Sequence, residues 1–193
     1  AAGLDVARLH SGDPSLYSAV AEQQRLLHER GVTTAIVPGV PAFAASAASL
    51  GTELTVPGVG QSLLITRVST LSTDMPPGET LAELASTGVT LALHLAAHRA
   101  DDIVAALVPH YGADCPTATV ACASRDDEQI VRCRLDELPQ ALGAAGSVRT
   151  AVIFVGRVLD SDPIATDSYL YSQARVGKLR GTAAPHLGPD NAS

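Results

Sequence analysis

The stretch His10-Ser11-Gly12-Asp13-Pro14 carries the densest chemistry in the sequence. Glycine lets a ligand approach the backbone closely, and an aspartate at a strand end accepts hydrogen bonds from hydroxyls or amines. Taken alone, Gly-Asp-Pro is also an ordinary tight turn. His10, Ser11 and Asp13 stand too close together to serve as nucleophile, base and orienter. No G-x-S-x-G elbow occurs, which argues against a serine hydrolase. A second turn, Pro38-Gly39-Val40-Pro41-Ala42, leads sharply into an Ala-rich run. Its small side chains leave room for a flat ligand such as an adenine, or let a helix press against a sheet.

Other polar residues read more plainly. His94 lies inside the apolar run Thr90 to Leu95 and is expected to be a strand histidine with its hydrogen bonds met. No partner at metal-ligand spacing accompanies it, and His98 belongs to another element. Asp126, Asp127 and Glu128 are expected to form a solvated turn, since a cation loop needs alternating oxygen ligands and a sharp glycine. Cys115, Cys122 and Cys133 are odd in number and lack C-x-x-C spacing, so free thiols are expected, with no disulfide framework and no metal site. Neither G-x-x-x-x-G-K nor G-x-G-x-x-G is present, which counts against a generic nucleotide-binding protein.

Composition narrows the class. At 193 residues the chain suits one large domain or two small lobes. Twenty acidic against thirteen basic residues give a net charge of −7, which argues against broad affinity for nucleic acid or an anionic membrane. An anionic ligand must then be met by a few placed arginines. The longest apolar runs, such as residues 42–50 and 151–155, fall well short of the roughly 20 residues that span a bilayer. Aromatic residues make up only 3%, so the core must be close-packed Ala, Val and Leu, and stacking platforms for bases are few. No basic and apolar leader opens the chain, and with unpaired thiols a cytoplasmic protein is expected. The chain lacks an initiator Met and opens almost inside a strand, so upstream residues are expected to be missing.

The elements that must position these residues follow from periodicity. Residues 4–9 alternate as a half-buried strand and run into the Ser11 to Pro14 turn. Residues 15–30 carry Leu16, Ala19, Val20, Leu26 and Leu27 at helical spacing, ended by Gly31; residues 32–37 read as a strand and 42–50 as a helix. Strand, loop and helix repeated in this way predict a parallel sheet with ligands outside the carboxyl ends of its strands. A lobe boundary is expected near residue 57, with Pro57 to Gly60 as a linker. That places the rest of a first α/β lobe at 1–56, a second α/β lobe at 57–160, and a partly disordered extension at 161–193. In the second lobe, strands are predicted over 62–68, 89–95, 118–123, 129–135 and 150–155, and helices over 79–86, 101–111 and 135–142. Residues 69–78 form a long loop, and strand 129–135 should pair with 118–123.

Taken together, the motifs are more specific than any one alone. The order Arg8-Leu9-His10-Ser11-Gly12-Asp13-Pro14-Ser15-Leu16-Tyr17, Ala21-Glu22-Gln23, Val37-Pro38-Gly39-Val40-Pro41-Ala42, Leu54-Thr55-Val56-Pro57, Thr90-Leu91-Ala92-Leu93-His94-Leu95 and Asp127-Glu128 resembles the tetrapyrrole methyltransferases over residues 5–160. The resemblance implies a two-lobed α/β fold, with a mostly parallel first lobe and a mixed-sheet second lobe. S-adenosylmethionine would lie in the cleft between them. It implies that Ser11, Gly12, Asp13 and Leu16 contact the cofactor from the first lobe, with Pro41 and Ala42 from the second turn. Leu95 and Ala123 would close the pocket from the second lobe. A homodimer is also implied.

The implied chemistry needs little acid or base. The methyl of a sulfonium is already activated, so in-line approach to a nucleophilic ring carbon matters most, and no catalytic residue is assigned. A corrinoid precursor bears several carboxylates, which makes Arg67, at a strand end, the first candidate to anchor substrate; a solvated surface arginine is the alternative. The sequence departs from the family in lacking its Gly-rich GxGPGD loop. It also has Ser18 where many relatives have Gly, Cys133-Arg134 for Gly-Thr, and Leu71 where a basic residue is usual. A non-catalytic binding fragment of the same fold is the rival from another class.

Overall fold

Residues 3–69, 74–146 and 150–160 are described by a computed structural model. Five strands are formed: β1 (Leu63–Arg67), β2 (Thr90–His94), β3 (Pro116–Ala121), β4 (Gln129–Arg134) and β5 (Ala151–Val155). Five helices accompany them: α1 (Val20–His28), α2 (Ala42–Leu50), α3 (Leu81–Ala85), α4 (Ala100–Tyr111) and α5 (Leu138–Ala145). From β1 onward each lies within a few residues of its predicted range, because the local apolar period there matches what packing selects. Residues 161–193, and Leu71 in the long loop, lie outside the described residues.

The strands form one mixed sheet in the order β1-β2-β5-β3-β4. β1 and β2 are parallel, β5 runs antiparallel to both β2 and β3, and β4 pairs antiparallel with β3 as predicted. β1, β2 and β3 therefore point the same way, and their carboxyl ends share one edge. Along that edge Arg67 is paired in register with His94, His94 with Val152, and Val152 with Val120.

Both faces of the sheet are covered, which is why β2 and β5 are buried along their whole length. One face sets Leu91, Leu93, Ile153 and Val155 in one apolar core with Leu81, Ile103, Leu107, Leu138 and Leu142 of α3, α4 and α5. The other sets Ala92, Ala118, Val120, Val152 and Phe154 with Leu50 of α2 and with Leu54, Val56, Val158 and Leu159. Each fully buried Leu, Ile or Phe contributes about 1.5–3 kcal/mol relative to exposure. A reciprocal cap starts α3: Glu83 N–H donates to the Thr80 hydroxyl, and the Thr80 N–H donates to the Glu83 carboxylate.

The first forty residues differ from expectation. Segments 4–9 and 32–37, predicted as strands, join no ladder, and Leu4, Val6 and Leu9 are 79%, 87% and 90% exposed. A strand exists through hydrogen bonds to a neighbour, and the described residues offer these segments none. The helix predicted over 15–30 is shortened to α1, because Tyr17 and Ala19 take left-handed backbones that interrupt it. No residue of α1 is buried. A bridge between Val56 and Gly60 closes residues 57–59 as a turn. α2 packs on β3 and β5.

Candidate functional site

Two turns far apart in sequence are interlocked. The backbone N–H of Gly39 donates to Asp13 Oδ2 at 2.8 Å, while Asp13 Oδ1 accepts from the Ser15 N–H at 2.8 Å and from the Ser15 hydroxyl. These bonds, the Ser15 hydroxyl first and then the Gly39 and Ser15 amides, hold the Asp13 carboxyl below its ordinary range. The aspartate is thus turned to the backbone, with its charged form stabilised in place. Gly39 is obligatory: a Cβ there would stand 2.3 Å from the Gly12 carbonyl oxygen. Gly12, at φ +73°, lies against Val40, Pro41 and Ala42.

The structure therefore brings Gly12, Asp13, Pro41 and Ala42 together, with Ser11 exposed beside them and Leu16 half-buried, its N–H donating to the Asp13 carbonyl. Leu95 and Ala123 sit elsewhere, just past the ends of β2 and β3 on the shared carboxyl edge. Leu95 is 56% exposed and left-handed at φ 55°. Cys122 and Ser124, on either side of Ala123, are left-handed too, as is Thr150 directly before β5. Such backbones cost a non-glycine residue roughly 1–2 kcal/mol. Four of them along one edge mark it as the place where packing enforces strain, a pattern that clusters at binding sites.

Tyr17 joins the first segment to this edge. Its ring lies against His94, centroid to centroid 5.3 Å and tilted by 46°. His94 is buried, and burial lowers its pKa, favouring the neutral imidazole. Its Nε2 has no hydrogen-bond partner, which corrects the expectation of a satisfied strand histidine. Ser46 Oγ on α2 is likewise buried without a partner. Arg67, the predicted anchor, donates to the carbonyls of Val68 and Asp74 at 3.3 Å each, gathering the loop that follows β1.

Glu128 is not merely solvated. Its Oε2 accepts from the Ser124 N–H and from the Ser49 hydroxyl, each at 2.7 Å, tying the end of α2 to the β3–β4 turn. Sequence reasoning missed this bridge, Tyr17 and the unpaired His94; the aromatic Tyr17 beside the Gly-Asp-Pro turn was the only local signal. The three thiols are free, as expected. A cavity of about 730 Å³ opens at the opposite edge of the sheet among Thr52, Glu53, Asp114, Arg132, Arg134 and Asp160, and none of the predicted site residues lines it.

A profile of the Tetrapyrrole (Corrin/Porphyrin) Methylases matches residues 1–139. The chain belongs to this family. A precorrin-4 C(11)-methyltransferase from Rhodococcus erythropolis is 59% identical over 175 residues, covering 91% of this chain and 70% of that protein. Among solved structures, a cobalamin biosynthetic enzyme, cobalt precorrin-4 methyltransferase, is 35% identical with a TM-score of 0.76, covering 79% of this chain. A uroporphyrin-III C-methyl transferase from Thermus thermophilus complexed with S-adenyl homocysteine is 26% identical, with a TM-score of 0.63 over 77% of this chain. The chain spans 64% of the length of each of these two solved enzymes.

The residues of the interlocked turns and of the carboxyl edge of this tetrapyrrole methylase have surfaces that fit an adenosyl group. They offer backbone amides and carbonyls in turns and the small or apolar surfaces of Pro41, Ala42, Leu95 and Ala123. No helix among the described residues is long and apolar enough to cross a membrane.

Proposed function

We propose that this chain acts as an S-adenosylmethionine-dependent C-methyltransferase that converts precorrin-4 to precorrin-5 by methylation at ring carbon 11, in cobalamin biosynthesis. The observation that carries the reading is the 59% identity with the Rhodococcus relative over 175 residues, 91% of this chain. In this reading Ser11, Gly12, Asp13, Leu16, Pro41, Ala42, Leu95 and Ala123 hold the cofactor between residues 1–56 and 57–160. The protein is a cytoplasmic homodimer.

The cofactor supplies an activated sulfonium methyl. The chain supplies position: Asp13 locks the two turns, Leu95 and the turn around Ala123 present backbone groups from the facing edge, and Arg67 lies where a substrate carboxylate would enter. Among the residues assigned to the cofactor, Asp13 is the one acid or base. Asp13 is committed to three hydrogen bonds, so orientation carries the rate.

A second reading is a cobalt-precorrin-4 substrate, favoured by the likeness to the solved cobalt precorrin-4 enzyme. The test is calorimetric titration with S-adenosylhomocysteine, followed by methyl transfer to metal-free and cobalt-containing precorrin-4. Binding with turnover of the metal-free substrate supports the first reading, and turnover of the cobalt form alone selects the second. Failure to bind S-adenosylhomocysteine overturns both.

A further inference from the structure

His94 and Tyr17 meet at the carboxyl edge in a way that the assigned roles do not use. His94 is only 9% exposed, yet its Nε2 has no hydrogen-bond partner. A buried polar atom left in this way loses its water without recompense, and such groups are few in folded interiors. The Tyr17 ring, itself 48% exposed, packs against the imidazole with the ring centroids 5.3 Å apart, so one neighbour of the buried ring is a side chain at the surface.

The hydrogen bonds around Tyr17 are local. Ser18 Oγ donates to the Pro14 carbonyl, Gln23 Nε2 to the Ser18 carbonyl at 3.3 Å, and Leu16 N–H to the Asp13 carbonyl at 3.3 Å. Tyr17 and Ala19 both stand at φ 54°, a region that non-glycine residues leave readily for the right-handed or extended basins. Rotation of the ring, or relaxation of that backbone, exposes the imidazole without breaking the bond between Asp13 and Gly39.

The surroundings select the ligand group. Arg67 is the cross-strand partner of His94 on the same sheet face. Burial raises the pKa of the Tyr17 hydroxyl, and the charges that act on it are those of Arg67, which opposes the rise, and Glu79, which adds to it. An anion entering under the ring would meet a cation and a ring N–H together, whereas a pyrrole N–H would gain nothing from the cation.

We propose that Tyr17 is a movable cover and that, with its ring swung aside, His94 Nε2–H donates a hydrogen bond to a carboxylate arm of the tetrapyrrole substrate. The inference rests on the methyltransferase reading above.

Uroporphyrin III, a stable polycarboxylate tetrapyrrole, serves as the probe, titrated into the 193-residue chain by absorbance, with S-adenosylhomocysteine followed in parallel by calorimetry. Tyr17→Ala should tighten uroporphyrin binding several-fold. His94→Phe, which keeps a ring, should weaken it about tenfold, as expected for one hydrogen bond to a charged group, and should abolish the gain in the double variant. Cofactor affinity should stay unchanged throughout. In the unsubstituted chain the His94 Nε2 nitrogen resonance should move on adding uroporphyrin III and stay still on adding S-adenosylhomocysteine, which tests the contact even where a variant folds poorly.

An unmoved resonance, unchanged uroporphyrin affinity in a folded His94→Phe chain, or loss of cofactor binding instead, overturns the proposal. S-adenosylhomocysteine binding without uroporphyrin binding overturns it while leaving the methyltransferase reading intact. Binding of neither removes both.

Discussion

The N–H of Gly39 donates to the carboxylate of Asp13 across twenty-six residues at 2.8 Å, and the same glycine passes so close to Gly12 that no side chain fits between them. One hydrogen bond and one steric exclusion thus set the relative position of the two turns that carry most of the assigned cofactor contacts. The second turn runs into α2 at Ala42, whereas the helix that follows the first turn, α1, buries no residue, so this pair ties the first turn to the second.

Gly39→Ala should disrupt the site while sparing the sheet. The added methyl would lie 2.3 Å from a backbone oxygen, so one turn must move away from the other. S-adenosylhomocysteine affinity should fall at least about tenfold, since misplacement by an ångström has that order of effect. The thermal midpoint, set by the two apolar cores on the sheet, should shift by no more than a few degrees. A large fall in the midpoint with unchanged affinity would contradict the interlock.

Cofactor affinity should depend on pH through Asp13. Its folded pKa is depressed by the Ser15 hydroxyl and by the Gly39 and Ser15 amides, below its unfolded value. The interlock is therefore fully present above the unfolded carboxylate range and is lost as pH falls through the depressed folded pKa. Titrations should show constant affinity from neutrality down to that range and a decline below it. Asp13→Asn should be weaker at neutral pH and lack the decline.

Glu128→Ala and Ser49→Ala should each loosen the contact between α2 and the β3–β4 turn, and the double variant should cost less than the two singles summed. One carboxylate oxygen serves both Ser49 and Ser124, so removal of Glu128 already removes the Ser49 bond. Thermal melts of the three variants form the cycle. Strict additivity would mean that the bond contributes nothing.

Phe154→Ala should be severely destabilising. The ring is fully buried in β5, at the centre of the face covered by α2, in a chain with little aromatic packing elsewhere. Truncation of such a residue costs about 3–5 kcal/mol, read as a lower urea midpoint. A loss under about 1 kcal/mol would show that α2 can collapse onto the sheet.

Much of this protein was decided locally and could be read from the chain. From residue 42 to 155, the period of apolar residues and the placing of Gly, Pro and Thr mark each helix and strand to within a few residues, because those patterns bury one face or both. The loops at strand ends were visible for the same reason, and the order of motifs pointed to the family.

Only the tertiary structure decided which of those residues meet. Residues 4–9 have the alternation of a strand and are not one, since a strand needs a neighbour to bond. Asp13 reads as a ligand-facing acid, but its oxygens are taken up by Gly39 and Ser15. Glu128 reads as a solvated charge, yet it bridges to Ser49, seventy-nine residues away. His94 reads as a satisfied strand residue, and its Nε2 is bare beneath Tyr17. Period is a property of neighbours along the chain, whereas a hydrogen-bond partner or its absence is set by packing between segments that local sequence does not relate.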